Sequence, residues 1–152
     1  MQPNTQSIMA IDWKELVTTS HLETVKAIQR ELEKGHIDEV EEGLSLLMQS
    51  MSKQEKRAVR SQLIRLMKHI IKWKSQPEKR STSWVASIVN ARHEIEEEKE
   101  FEPSITDDYI RSVWEKCLSK AIVEAEADMN KKSAIRELSW DEVFNDDYSL
   151  MQ

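Results

Sequence analysis

Apolar residues along this chain recur at threes and fours, the spacing of one face of an α-helix, and alternation of the kind a half-buried strand requires is missing. From Asp12, residues Trp13, Leu16, Val17, Leu22, Val25, Ile28 and Leu32 follow that spacing, with a slack Thr18 to Ser20 between. The pattern predicts a short helix, a break and a longer first helix. Gly35 sits where a left-handed C-terminal cap is wanted.

Asp38 with Glu41 has capping-box spacing and opens a second helix bearing Val40, Leu44, Leu47, Met48 and Met51, which Gly43 weakens. The signal repeats as Ser52 with Glu55, so a tight joint is expected there. A third helix then runs to about Ser75. Its apolar positions, Val59, Leu63, Ile64, Leu66, Met67, Ile70, Ile71 and Trp73, leave only a narrow polar stripe, which makes it the most buried element.

Gln76-Pro77 ends that helix, since proline lacks the N–H and disfavours helical backbone before it. Ser81, Thr82 or Ser83 then caps a fourth helix whose inner face is Trp84, Val85, Ile88, Val89 and Ile95 and whose far end is acidic, from Glu94 to Glu102. Thr106, followed by Asp107 and Asp108, starts a fifth helix carrying Tyr109, Ile110, Val113, Trp114, Cys117, Leu118, Ala121, Ile122 and Ala125, closed by Lys131 and Lys132. Ser139 with Glu142 caps a short last helix anchored by Trp140, Val143 and Phe144. The expectation is all-α: an antiparallel helical bundle of four to five main helices plus a short C-terminal helix. Residues 1–11 form a flexible lead-in, 12–148 a single domain and 149–152 a tail.

Composition agrees with that picture. The 152 residues include two glycines and three prolines, too few for the turns of a sandwich or barrel. Those two glycines also exclude a Walker loop, a dinucleotide fingerprint and a nucleophile elbow, so no cofactor is expected. Cys117 is the single cysteine, which rules out an internal disulfide and a paired-cysteine zinc site and fits a reducing cytoplasm. The longest unbroken apolar run is Ile8 to Ile11, so neither a leader nor a membrane span is expected.

Charge adds an asymmetry. Between Lys53 and Arg92 eleven Lys or Arg face only Glu55 and Glu78, a local balance of +9 within a chain of net charge -6, which leaves -15 for the rest. Such a chain either folds acid onto base or offers a basic face to an anionic partner.

The stretch LMKHIIKWKSQPEKRSTSW joins these features. It resembles the uncharacterised bacterial family catalogued as domain of unknown function twenty-nine, through His69, Ile70, Ile71, Lys72, Trp73, Gln76, Pro77, Arg80, Ser81, Ser83 and Trp84. The ending SWDEVFNDDY is similar as well, and the resemblance covers residues 21–148. It departs near the start, where His21, Leu22 and Glu23 replace the aspartate and aromatic residues associated with that helix. The resemblance implies an all-helical bundle and no activity.

The candidate binding surface is Lys68, His69, Lys72, Trp73, Lys74, Gln76, Lys79, Arg80, Trp84 and Arg92. Cations interleaved with tryptophan suit phosphates and exposed bases, so single-stranded RNA or DNA is one reading. The stronger one is packing: Trp73 and Trp84 bridge helices, lysine stems cover apolar surface, and Arg80 caps a carbonyl or meets a carboxylate. His69 as the base of a hydrolase or nuclease needs a local carboxylate or serine that the sequence does not supply. His93 with Glu97, and Glu33 with His36 across Gly35, do not make a di-metal helix motif, so no metal is expected. Cys117 in an apolar stripe reads as core. The leading expectation is therefore a non-enzymatic helical module for a protein partner, with a homodimer as one form and nucleic acid as the alternative.

Overall fold

Short polar side chains set where most of these helices begin. In the computed structural model, which describes residues 10–151, Asp12, Ser20, Ser81, Thr106 and Ser139 each accept a hydrogen bond from the backbone N–H three residues on. They open α1 (Trp13–Thr19), α2 (His21–Glu33), α4 (Thr82–Phe101), α5 (Asp107–Ser112) and α7 (Trp140–Phe144). Between them lie α3 (Ile37–Ser75), a 3-10 turn at Pro77–Lys79 and α6 (Trp114–Met129). No strand occurs among the described residues, and the chain is an all-α helical bundle. No helix among them is long and apolar enough to cross a membrane. Up to residue 9, the expected lead-in lies outside the described residues.

The chain divides into two compact units, Met1–Gln54 and Glu55–Gln152. In the first, α2 ends in a Schellman motif: Gly35 adopts φ +77°, its N–H reaches Leu32 O at 3.0 Å, and His36 N–H reaches Glu31 O at 2.9 Å. Trp13, Val17, Ala27, Ile28, Val40 and Leu47 form the core. The Trp13 indole N–H donates to Glu39 at 2.6 Å. Gly43 is there for room: a Cβ would lie 2.8 Å from Ile28 Cγ1 and from two ring atoms of Trp13.

In the second unit, Val59, Leu63, Leu66, Met67, Ile70 and Ile71 on α3 have no solvent exposure, as expected of the most buried helix. Ile88, Ala91 and Ile95 of α4, Ile110 of α5, six residues of α6 from Cys117 to Met129, Val143 of α7, and Ile105 and Leu138 from the connecting segments complete that core. Val89, expected inside, is 42% exposed. Past Asn130, which caps α6 at φ +53°, the chain is tied back by Glu126. The Glu126 carboxylate accepts from Ser133 N–H at 2.8 Å and Arg136 at 3.2 Å, and these bonds hold it below the ordinary glutamate range.

Three boundaries differ from expectation. α3 begins at Ile37, so Asp38 lies in its first turn and does not cap it. The joint at Ser52 is absent, and α3 runs unbroken. Glu55 does not fold back on Ser52; its carboxyl meets that of Glu102. The long fifth helix is broken at Val113, with φ -104° and ψ 3°, which separates α5 from α6. Trp114 then stacks on Trp140 at 5.5 Å, with the Arg111 guanidinium 4.4 Å from the Trp140 ring centre on which it lies.

The Glu55–Glu102 contact makes a pH prediction. The hydrogen bond to Glu102, reinforced by burial, raises Glu55 above the ordinary range, while the same bond lowers Glu102. A raised carboxyl contributes its stability when protonated and loses it as pH climbs through the folded-state value. Glu55→Gln, which keeps a donor without a charge, is therefore expected to raise the urea midpoint at about pH 7.5 and to leave it nearly unchanged at about pH 4. Equal midpoints for both proteins at the higher pH would refute the shared proton.

Candidate functional site

The last turns of α3, the Pro77–Lys79 turn and the start of α4 bring together most of the residues marked by sequence. Trp73 is 6% exposed. The Arg80 guanidinium lies 4.5 Å from its ring centre, while Arg80 Nε donates to Trp73 O at 2.9 Å and Tyr148 meets the ring edge-on at 5.7 Å. That ring has no open face for a base. Trp84 is half-buried, with Lys72 Nζ over it at 5.0 Å.

The cations around these rings find acids on other helices. Lys72 meets Asp128 at 3.2 Å, and Lys68 bridges Asp128 at 3.6 Å and Glu124 at 3.7 Å. Burial works to raise Asp128, yet these lysines hold it below the ordinary aspartate range. Lys74 pairs with Glu142, and that bond is the main reason Glu142 lies low. Arg92 serves α7: Nε donates to Val143 O at 2.8 Å and Nη2 to Glu142 O at 3.4 Å, with the guanidinium over Tyr148 at 5.4 Å. Burial, then Asp146 and Glu142, push the Tyr148 phenol up to about 12, so it stays a donor to Glu142 O at 2.6 Å. Gln76 is buried and its backbone N–H closes the α3 ladder onto Lys72 O. Of the ten marked residues, Lys79 is the exposed cation, and it has no ion pair among the described residues.

His69 Nδ1 donates to Arg65 O at 2.8 Å. Burial, aided by Lys72, Lys68 and Arg65, keeps the ring below the ordinary histidine range and therefore neutral. No hydroxyl or carboxylate among the described residues hydrogen-bonds it. Among those residues no group of three His, Cys, Asp or Glu is placed to hold a metal ion.

A surface not marked by sequence lies on the first unit. Periodicity places Leu22, Val25 and Leu32 on α2, with Leu44, Met48 and Met51 on α3, on the inner faces; Ile37, at the start of α3, lies beside them. They are exposed instead, from 44% at Leu44 to 68% at Met48. At about 100° per residue, these positions sit a quarter turn from the buried Thr24, Ile28 and Glu31 on α2 and from Val40, Gly43 and Leu47 on α3. Because α2 and α3 run antiparallel, the two sets fall on one face of the pair. Trp13 of α1 covers the opposite face, touching Glu39 and the Gly43 position.

Residues 22–149 match the family described as Domain of unknown function DUF29. The chain belongs to this family. No curated protein and no solved structure matches it. The DUF29 region begins one residue into α2, so it takes in every residue of the exposed stripe and leaves α1, with Trp13, outside. The His69 to Trp84 stretch and the tail through Tyr148 fall inside it as well.

Proposed function

We propose that this chain is a non-enzymatic helical interaction module of a reducing cytoplasm, which docks a protein partner through the exposed stripe of α2 and α3. The observation that carries the reading is that stripe: seven large apolar side chains on one face of a helix pair, each exposed to water at a cost that a partner would remove. The internal pairing of Lys68, Lys72, Lys74, Arg80 and Arg92 supports it further, since those cations are already engaged and, of the ten marked residues, Lys79 is the cation left to the nucleic-acid alternative. His69, neutral and bonded to its own helix, lacks the partner a hydrolase would give it.

A photo-crosslinking side chain at position 48, compared with one at position 79, tests this in intact cells. Protein adducts are expected from position 48 and none from position 79. Nucleic-acid adducts at 79 with nothing at 48 would replace the proposal by its rival.

A further inference from the structure

We propose that the occupant of the stripe is a second copy of this chain, related by a two-fold axis parallel to α2 and α3. The inference rests on the interaction-module reading and adds the identity of the partner. Its first support is register. His21 meets Ser50 at 3.0 Å, and Ile28 packs on Gly43, so residues of α2 and α3 at one level have numbers adding to 71. On the stripe itself, Leu22, Val25, Gln29 and Leu32 repeat every three and four residues, as do Leu44, Met48 and Met51, which is the seam of a helical bundle.

A two-fold axis along the helices lays α2 of one protomer antiparallel on α3 of the other while keeping levels unchanged. Leu22 then falls between the partner's Met48 and the partner's Met51, Val25 between the partner's Leu44 and the partner's Met48, and Leu32 beside the partner's Ile37. Large side chains thus enter gaps between large side chains. Gln29 is the polar residue in the seam, the kind of position that fixes register in such bundles.

Charge selects this axis over the other face-to-face arrangement. The outer edge of α2 carries Lys26 and Arg30 along with Glu23 and Glu33, and the outer edge of α3 carries Asp38 and Glu41 with no cation. Within one protomer these edges are separated by the width of the helix pair. Arg30 and Glu41 have no ion-pair partner among the described residues, and Lys26 has only Glu23, one turn away. The parallel axis brings Glu41 level with the partner's Arg30 and within a turn of the partner's Lys26, against one like-charge pair of Glu33 with the partner's Asp38, and symmetry makes each contact twice. A two-fold perpendicular to the helices would instead stack α3 on α3 and α2 on α2, which leaves Glu41 facing an α3 edge that carries no cation and forms no such pair.

Sedimentation equilibrium of the full chain over a concentration series tests the proposal. Twice the chain mass is expected for the wild type, and the monomer mass for Leu44→Lys/Met48→Lys with helical circular dichroism unchanged. Because both of those sites are exposed but apolar, charge reversal provides an independent arm that leaves the stripe intact. Glu41→Lys, or Lys26→Glu/Arg30→Glu, is expected to weaken the dimer roughly tenfold, and all three together to restore it to within about threefold of wild type. A wild type that stays monomeric, or a dimer that the stripe variant leaves unchanged, overturns the second copy. Protein adducts from position 48 on a monomeric chain would overturn it too while leaving the interaction-module reading in place; loss of both dimer and adducts removes both.

Discussion

Gly43→Leu is expected to lower the stability of the first unit by about 3 kcal/mol, the upper part of the range for overpacking. The Cβ alone would stand 2.8 Å from Ile28 Cγ1 and from Cζ3 and Cη2 of Trp13. Neither neighbour can step aside easily. Ile28 is 8% exposed and Trp13 2%, and the indole N–H is held by Glu39 at 2.6 Å. Gly43→Ala tests the same contact with the sign in balance, since alanine gains about 1 kcal/mol of helix propensity over glycine. A net loss of about 1 kcal/mol is expected for alanine, because the ring must still move. Urea unfolding followed by the amide exchange of α2 reads both variants. If Gly43→Leu exchanged as slowly as the wild type, the contact with Trp13 would have no energetic weight.

Arg92→Ala is expected to cost about 2 kcal/mol and to loosen residues 140–148. The side chain closes two backbone carbonyls of α7, Val143 O at 2.8 Å and Glu142 O at 3.4 Å, and Val143 has no solvent exposure. Truncation leaves the Val143 carbonyl without its charged donor in a place water does not reach, which is the costly way to lose a hydrogen bond. Arg92→Lys should recover less than half of the loss, because an ammonium cannot serve both carbonyls and lie flat on Tyr148. Faster amide exchange confined to the last helix and tail would bear this out. Unchanged exchange there, with normal stability, would mean the guanidinium is ornamental to α7.

Helix ends were legible because each depends on a single local residue. Ser20, Gly35, Pro77, Ser81, Thr106 and Ser139 all act where their chemistry predicts, since a cap satisfies orphan backbone groups within one turn. Ser52 and Glu55 carry the same letters without the same outcome. No glycine or proline lies near them, so the ladder of α3 continues, and Glu55 is drawn to Glu102, which is far away in sequence. The break at Val113 has no breaker residue at all and follows from tertiary packing, with Trp114 committed to Trp140.

The surface residues divide in the same way. Periodicity identifies an apolar face but not what covers it, so Leu22, Leu44 and Met48 look no different from Ile28 and Leu47 until the helices are placed. For the basic stretch, the excess of +9 was plain, but its counter-ions Glu124, Asp128 and Glu142 lie more than fifty residues along the chain from the lysines they meet. Local spacing carries no information on such pairs.

The lone thiol offers a different kind of return. Cys117 is 2% exposed, and burial pushes its pKa up, so in the native state it neither meets reagent nor ionises readily. A cysteine introduced on any exposed helix face would therefore take a dye or spin label alone, without removing the natural one. Reaction at Cys117 itself, when it comes, becomes a stopwatch: its rate counts how often the core around Val59, Ile70 and Ala121 opens to solvent.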